Sequence, residues 1–159
     1  MIAVSNTTPI LSLYKIGKLG LLKSLFDQII VPVAVYNEIS LPSGKPGHDM
    51  LGMVDYIHIE QVQNGFAAGL LRSQLDYGEA EAIVLALELG ADILILDEKK
   101  ARKVAQANTQ RVIGTIGILQ MAKGKGLISD MKTQLDELIA NGIWIDSRLY
   151  RTVLDSNGE

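Results

Sequence analysis

Four polar residues stand where strands and helices of this chain would bring them together: Asn6, Glu38, Glu79 and Asp97. Three are carboxylates and one is a carboxamide, so all four offer hard oxygen donors. Three carboxylates in a small cleft repel one another and lose hydration, and a divalent cation is the readiest compensation. That donor set suits Mg2+ or Mn2+. The chain has no cysteine, which excludes thiolate nucleophiles, disulfides, cysteine zinc sites and iron–sulfur clusters. Its two histidines, His48 and His58, are ten residues apart, a spacing that suits no helical metal pair.

Each candidate also has a local structural role open to it, and residue by residue the local role is the commoner one. Asn6 can form an Asx-turn ahead of Thr8-Pro9. Asp97 can cap the basic helix that follows it, and Glu79 can close a capping box with Asp76. Glu38 can be an exposed helix residue. Glu81, two residues beyond Glu79, points to a different helix face.

The elements that position these residues follow from periodicity and punctuation. Ile2–Val4 reads as a strand, followed by a helix over Pro9–Ile16 with Thr8 as cap, and a short helix over Leu19–Phe26. Gln28–Val31 is β-branched and strand-like, and Pro32 opens a helical stretch through Glu38. Ser40–Gly47 holds two of the four prolines and reads as a loop. Tyr56–Val62 alternates like an edge strand, and Phe66–Leu75 suits a short helix. Asp76-Tyr77-Gly78-Glu79 starts a helix through Leu89 that stops at Gly90.

Asp92–Asp97 is nearly all apolar, the pattern of a parallel strand covered on both faces. A basic helix to Asn108, a strand at Arg111–Ile113 and a helix over Thr115–Lys123 come next. Met131–Asn141 and Ser147–Leu154 read as helices flanking Ile143-Trp144-Ile145. Strands alternating with helices make the fold class α/β. In such sheets ligands bind at the carboxyl ends of strands, where Asn6 and Asp97 fall.

With 48% hydrophobic and 21% charged residues over 159 positions, one globular domain is expected, over residues 1–155, with 156–159 a frayed tail. No apolar run spans a bilayer and the start lacks a signal-peptide pattern, so a cytoplasmic location with no membrane partner is the expectation. The net charge is −3, but Asp97–Lys125 holds seven basic against two acidic residues, leaving that segment +5 and the remainder −8. Lys99, Lys100 and Arg102 within it could guide a phosphate backbone.

Nearly the whole chain resembles the PIN domain, in particular a prokaryotic subfamily described as predicted nucleic-acid-binding proteins and related to VapC-type toxins. The segments that carry the resemblance are Val4-Ser5-Asn6-Thr7-Thr8-Pro9-Ile10-Leu11, Val31–Ile39, Gly78-Glu79-Ala80-Glu81-Ala82-Ile83, Ala91–Asp97 with Lys99-Lys100-Ala101-Arg102, and Val112–Gly117. Leu127-Ile128-Ser129, Leu135–Leu138 and Leu149-Tyr150 extend it. The resemblance implies a three-layer sandwich, a small central parallel sheet with helices on both faces.

It further implies metal-dependent ribonuclease chemistry on single-stranded RNA, with Asn6, Glu38, Glu79 and Asp97 as metal ligands, the three carboxylates as catalytic residues, and Thr7 beside Asn6 orienting the substrate. Asn6 stands where the family pattern has an aspartate, which removes a charge from the site. A toxin role, a small antitoxin partner and a homodimer are implied in the same way, and a catalytically weak module that binds RNA or a protein is the alternative. No phosphate-binding glycine motif, receiver-type acidic pair, sugar cleft or nucleophile elbow competes with this reading.

Overall fold

The computed structural model describes residues 1–40 and 54–159. A five-stranded, all-parallel sheet forms its centre, built from β1 (Ile2–Ser5), β2 (Gln28–Pro32), β3 (Ile57–Glu60), β4 (Ile93–Ile95) and β5 (Val112–Ile113). The spatial order is β3-β2-β1-β4-β5. In register, Val4 lies opposite Ile30 and Leu94, and Ser5 opposite Ile95.

Nine helices are found among the described residues: α1 (Thr7–Lys15), α2 (Leu21–Leu25), α3 (Val33–Ser40), α4 (Gly65–Leu71), α5 (Tyr77–Leu89), α6 (Lys99–Ala107), α7 (Thr115–Gly124), α8 (Met131–Ala140) and α9 (Ser147–Ser156). They cover both faces, because successive strand side chains alternate between two cores. Ala3, Ile29, Val31, Ile93 and Ile95 face one core, filled by residues such as Ile10, Leu13, Leu22, Ile118 and Leu135. Val4, Ile30, Leu94 and Leu96 face the other, filled by Ala82, Ile83 and Leu85 of α5 and Ala101 and Ala105 of α6. The α/β three-layer expectation holds.

Several local expectations are corrected. Helix α1 begins at Thr7 rather than Pro9, with extended Asn6 in the cap position and Pro9 still in the first turn, where its missing N–H costs nothing. Pro32 closes β2, paired with Glu60, instead of opening α3. The four-residue tail expected to fray is held: α9 runs through Ser156, and the Glu159 carboxylate accepts from the backbone N–H groups of Met131 and Lys132 and from Lys123 Nζ. His58 is exposed on the edge strand β3, whereas His48 and most of the expected Ser40–Gly47 loop lie outside the described residues.

The strand order places the functional edge. From β1 the chain steps outward to β2 and β3, then returns to the other side of β1 for β4 and β5. The crevice at the carboxyl ends of β1 and β4, where that direction reverses, is the place such a sheet leaves open for a ligand.

Candidate active site

Asn6 follows β1 directly into this crevice. Its backbone N–H donates to Ile95 O at 3.0 Å, which ties it to β4, and the Ser5 hydroxyl donates to its carbonyl at 3.0 Å. The side chain makes no capping bond to α1, so the Asx-turn expectation fails. Asn6 is 4% exposed and its Oδ1 has no hydrogen-bond partner. A buried acceptor left unpaired costs about 1–3 kcal/mol, so it marks a group that wants a partner.

Glu38 reaches the same space from α3. It is half-buried rather than an exposed helix residue, and the Thr7 hydroxyl donates to its Oε2 at 2.5 Å, leaving Oε1 uncommitted. Gly78, the second residue of α5, closes the far side. A Cβ there would stand 3.0 Å from Glu38 Oε1 and 3.1 Å from Asn6 Oδ1. The missing side chain leaves a small cradle faced by two hard oxygens.

Asp97 lies just beyond β4, the strand that neighbours β1. The bare start of α7 takes up its carboxylate: the Thr115 N–H donates to Oδ1 at 2.7 Å and the Thr115 hydroxyl to Oδ2 at 2.6 Å. Gly114 occupies the cap position of α7 without a side chain, and Asp97 supplies the cap from another element. A Cβ on Gly114 would stand 2.6 Å from Asp97 Oδ1 and 2.8 Å from a terminal nitrogen of Arg102. The basic helix α6 is capped by Glu98, whose carboxylate accepts from Ala101 N, and not by Asp97.

Glu79 forms the capping box with Asp76. Glu79 N donates to Asp76 Oδ1 at 2.8 Å, and Asp76 N donates to Glu79 Oε2 at 3.1 Å. It is buried, and loss of hydration first, with the neighbouring Asp76 and Glu98 charges adding to it, raises its pKa above the ordinary 4.5. Glu81, set aside on helix geometry, turns out to point at α3: its Oε2 accepts from Ala34 N at 3.0 Å, capping the helix that carries Glu38. Thr115, which no acidic pattern flags, is the residue that holds Asp97.

The gathering of three carboxylates expected from the sequence is therefore not formed. Among the described residues no group of three or more His, Asp or Glu is close enough to share a metal ion. Glu79 and Asp97 each serve a helix N-terminus, while Asn6 and Glu38 do meet. Lys99 and Arg102 line a cleft of about 440 Å³ together with Asp97, whereas Lys100 is exposed outside it.

A family model described as DUF3368, PIN domain, matches residues 2–159. The chain belongs to the PIN-domain family. Among curated proteins, none matches it. The PIN fold is of nuclease type, and PIN domains generally use divalent metal ions and suggest nucleic-acid binding. No helix among the described residues of this PIN domain is long and apolar enough to cross a membrane.

The residues present fit such an ion. The orphaned Asn6 Oδ1 and the free Glu38 Oε1 face one cradle. Magnesium keeps several waters and is commonly held by only one or two carboxylates plus substrate phosphate. A pair of oxygen donors thus suffices for a hydrated ion.

Proposed function

We propose that this PIN domain is a divalent-metal-dependent ribonuclease that hydrolyses phosphodiesters of single-stranded RNA, with Mg2+ or Mn2+ held by Asn6 and Glu38 and approached by Asp97. The buried, unpartnered Asn6 Oδ1 facing Glu38 across the space at Gly78 is the observation that carries this reading. When bound, the ion supplies charge neutralisation and polarisation of a phosphoryl oxygen.

The rest is work for the chain's own side chains. Thr7, bonded to Glu38, fixes the Glu38 rotamer, and Glu81 holds the start of α3, so the ligand is positioned before substrate arrives. Lys99 and Arg102 bind the phosphate backbone in the cleft that Asp97 also lines. Hydrolysis consumes one water: its oxygen forms the new bond to phosphorus, the bond to the leaving ribose oxygen breaks, and the proton ends on that oxygen. Asp97, held by Thr115 at the rim of that cleft, orients the attacking water. Glu79 supports the frame of α5 rather than the ion.

Cleavage of a labelled single-stranded RNA in manganese tests the reading. Wild type is expected to cut, and Glu38→Gln to lose more than about 100-fold, the scale of removing one direct metal ligand. Equal cleavage by both proteins would sink the proposal. A second reading, a PIN module that binds RNA without turnover, is favoured by the cradle's having Glu38 as its one carboxylate, with the neutral Asn6 opposite. Asn6→Asp separates the two: restored cleavage in an inert wild type supports the second.

A further inference from the structure

We infer that Trp144 is a stacking platform for a nucleobase of single-stranded RNA, set at one end of a track whose other end is the Lys99–Arg102 phosphate site; the inference rests on the ribonuclease reading above. Trp144 lies in the connection between α8 and α9 and is 85% exposed, the most exposed large hydrophobic among the described residues. Its neighbours Ile143 and Ile145 turn inward and pack on the larger core, so the loop is anchored while the indole stands clear. An indole held out in water by an anchored loop gains free energy from whatever covers it.

What covers it is indicated by the surroundings. Trp144 lines a cavity of about 330 Å³ together with Thr8, Asp97, Thr115, Ile143 and Leu149. The basic cleft of about 440 Å³ shares Asp97, Ile116 and Leu149 with that cavity, so the two adjoin along those residues. One path therefore runs from Lys99 and Arg102, past Asp97, to the indole. Positive charge for a backbone and an aromatic face for a base, on either side of an acidic centre, is the combination that binds unpaired nucleic acid. Duplex RNA cannot use it, because its bases are already stacked. Asp146 lies on the indole side of the path, so backbone attraction concentrates at the α6 end.

Stacking accepts any base, so the platform sets strandedness and register rather than sequence. A base resting on Trp144 fixes how the following phosphate lies past Asp97. Removing the indole should then weaken binding and also blur the position of cleavage.

The chain contains one tryptophan, so its fluorescence reports this contact alone. The probe is a short oligouridine titrated in EDTA, which prevents cleavage, with anisotropy of an end-labelled copy as an independent measure of binding. The expected result is quenching that tracks the anisotropy. Trp144→Ala should bind about 5- to 150-fold more weakly and Trp144→Tyr should recover most of the loss. Replacing Lys99 and Arg102 by Gln should lower the salt slope of binding by about 0.7 per charge removed. Because the indole is exposed, the Trp144 variants keep the fold.

If Trp144→Ala binds oligouridine as wild type does, the platform is refuted while the ribonuclease reading stands. If no single-stranded RNA binds wild type by anisotropy, the platform is refuted, and the ribonuclease reading is decided separately by cleavage in manganese. Fluorescence that changes with protein concentration in the absence of RNA would mean that a second copy covers the indole, which also overturns the inference. Equal affinity for duplex RNA of the same length would do the same.

Discussion

Two carboxylates at the carboxyl edge of the sheet are each backed by a glycine, yet they end in opposite states. Asp97, backed by Gly114, has one bond from Thr115 on each oxygen and is clamped to the start of α7. Glu38, backed by Gly78, gives one oxygen to Thr7 and leaves the other facing an orphaned Asn6 carbonyl. The first arrangement completes a helix terminus within the chain. The second leaves an acceptor unpaired within the chain, and that difference, rather than the count of carboxylates, is the ground on which we propose the ligand's place.

Substitutions at the two glycines are the largest lever on this contrast. Gly114→Ala drives a carbon to 2.6 Å from Asp97, a short side chain with both oxygens engaged, so something must shift. We expect a loss of about 1–3 kcal/mol in urea unfolding. Asp97→Ala should come next: it strips the cap from α7 for about 1 kcal/mol, whereas Asp97→Asn keeps an acceptor for Thr115 N and should unfold nearly as wild type. If both Asp97 variants were as stable as wild type, the clamp would be idle.

Gly78→Ala should cost less than Gly114→Ala, because Glu38 is long enough to yield a few tenths of an ångström. Its effect belongs in ligand binding instead: the added carbon fills the cradle, and the manganese-induced rise in melting temperature should vanish. Asn6→Asp is expected to do the reverse. It puts a second charge beside Glu38, lowering stability in EDTA and enlarging the stabilisation by manganese. Unchanged stability in both conditions would show that the two side chains do not share a ligand.

The smallest effect is at Glu79. Burial holds its carboxyl above the usual 4.5, so the folded chain retains that proton where the unfolded chain has lost it. Its contribution is therefore full below about 4.5 and is lost as pH rises through the higher folded value. Glu79→Gln keeps an acceptor for Asp76 N and removes the charge, so near neutrality it should be neutral or slightly stabilising. Unfolding curves from acid to neutral pH should show a flatter stability profile than wild type. A steeper one would contradict the burial argument.

Legibility of the sequence divides along the same line. The apolar run at β4, the helix begun by Asp76 and Glu79 and ended by Gly90, and the alternation of strands with helices are local signals, and each reappears in the structure. Asn6 was harder, because an Asx-turn and an orphaned carbonyl look identical in one dimension; only the absence of a bond to α1 separates them. Asp97 and Glu98 are adjacent acids either of which can cap α6, and the point where β4 ends decides between them. Glu81 does lie on a different helix face from Glu79, as the helix period implies, but that this face meets the start of α3 is a long-range contact no local pattern shows. Trp144 sits in an Ile-Trp-Ile sequence whose apolar character suggests burial, yet only its neighbours are covered. The tail was misjudged because its partners, Lys123 and Met131, are far away in sequence.

The central claim is that the Asn6–Glu38 cradle, and not the Asp97 clamp, is what recruits a divalent ion. Manganese titration followed by calorimetry and thermal unfolding, on wild type, Glu38→Gln and Asp97→Asn, tests it without any assumption about substrate. The account predicts that wild type is stabilised by about 2.7 kcal/mol at 100 times the dissociation constant, that Asp97→Asn retains most of this, and that Glu38→Gln loses it. Binding that survives in Glu38→Gln but disappears in Asp97→Asn would contradict it.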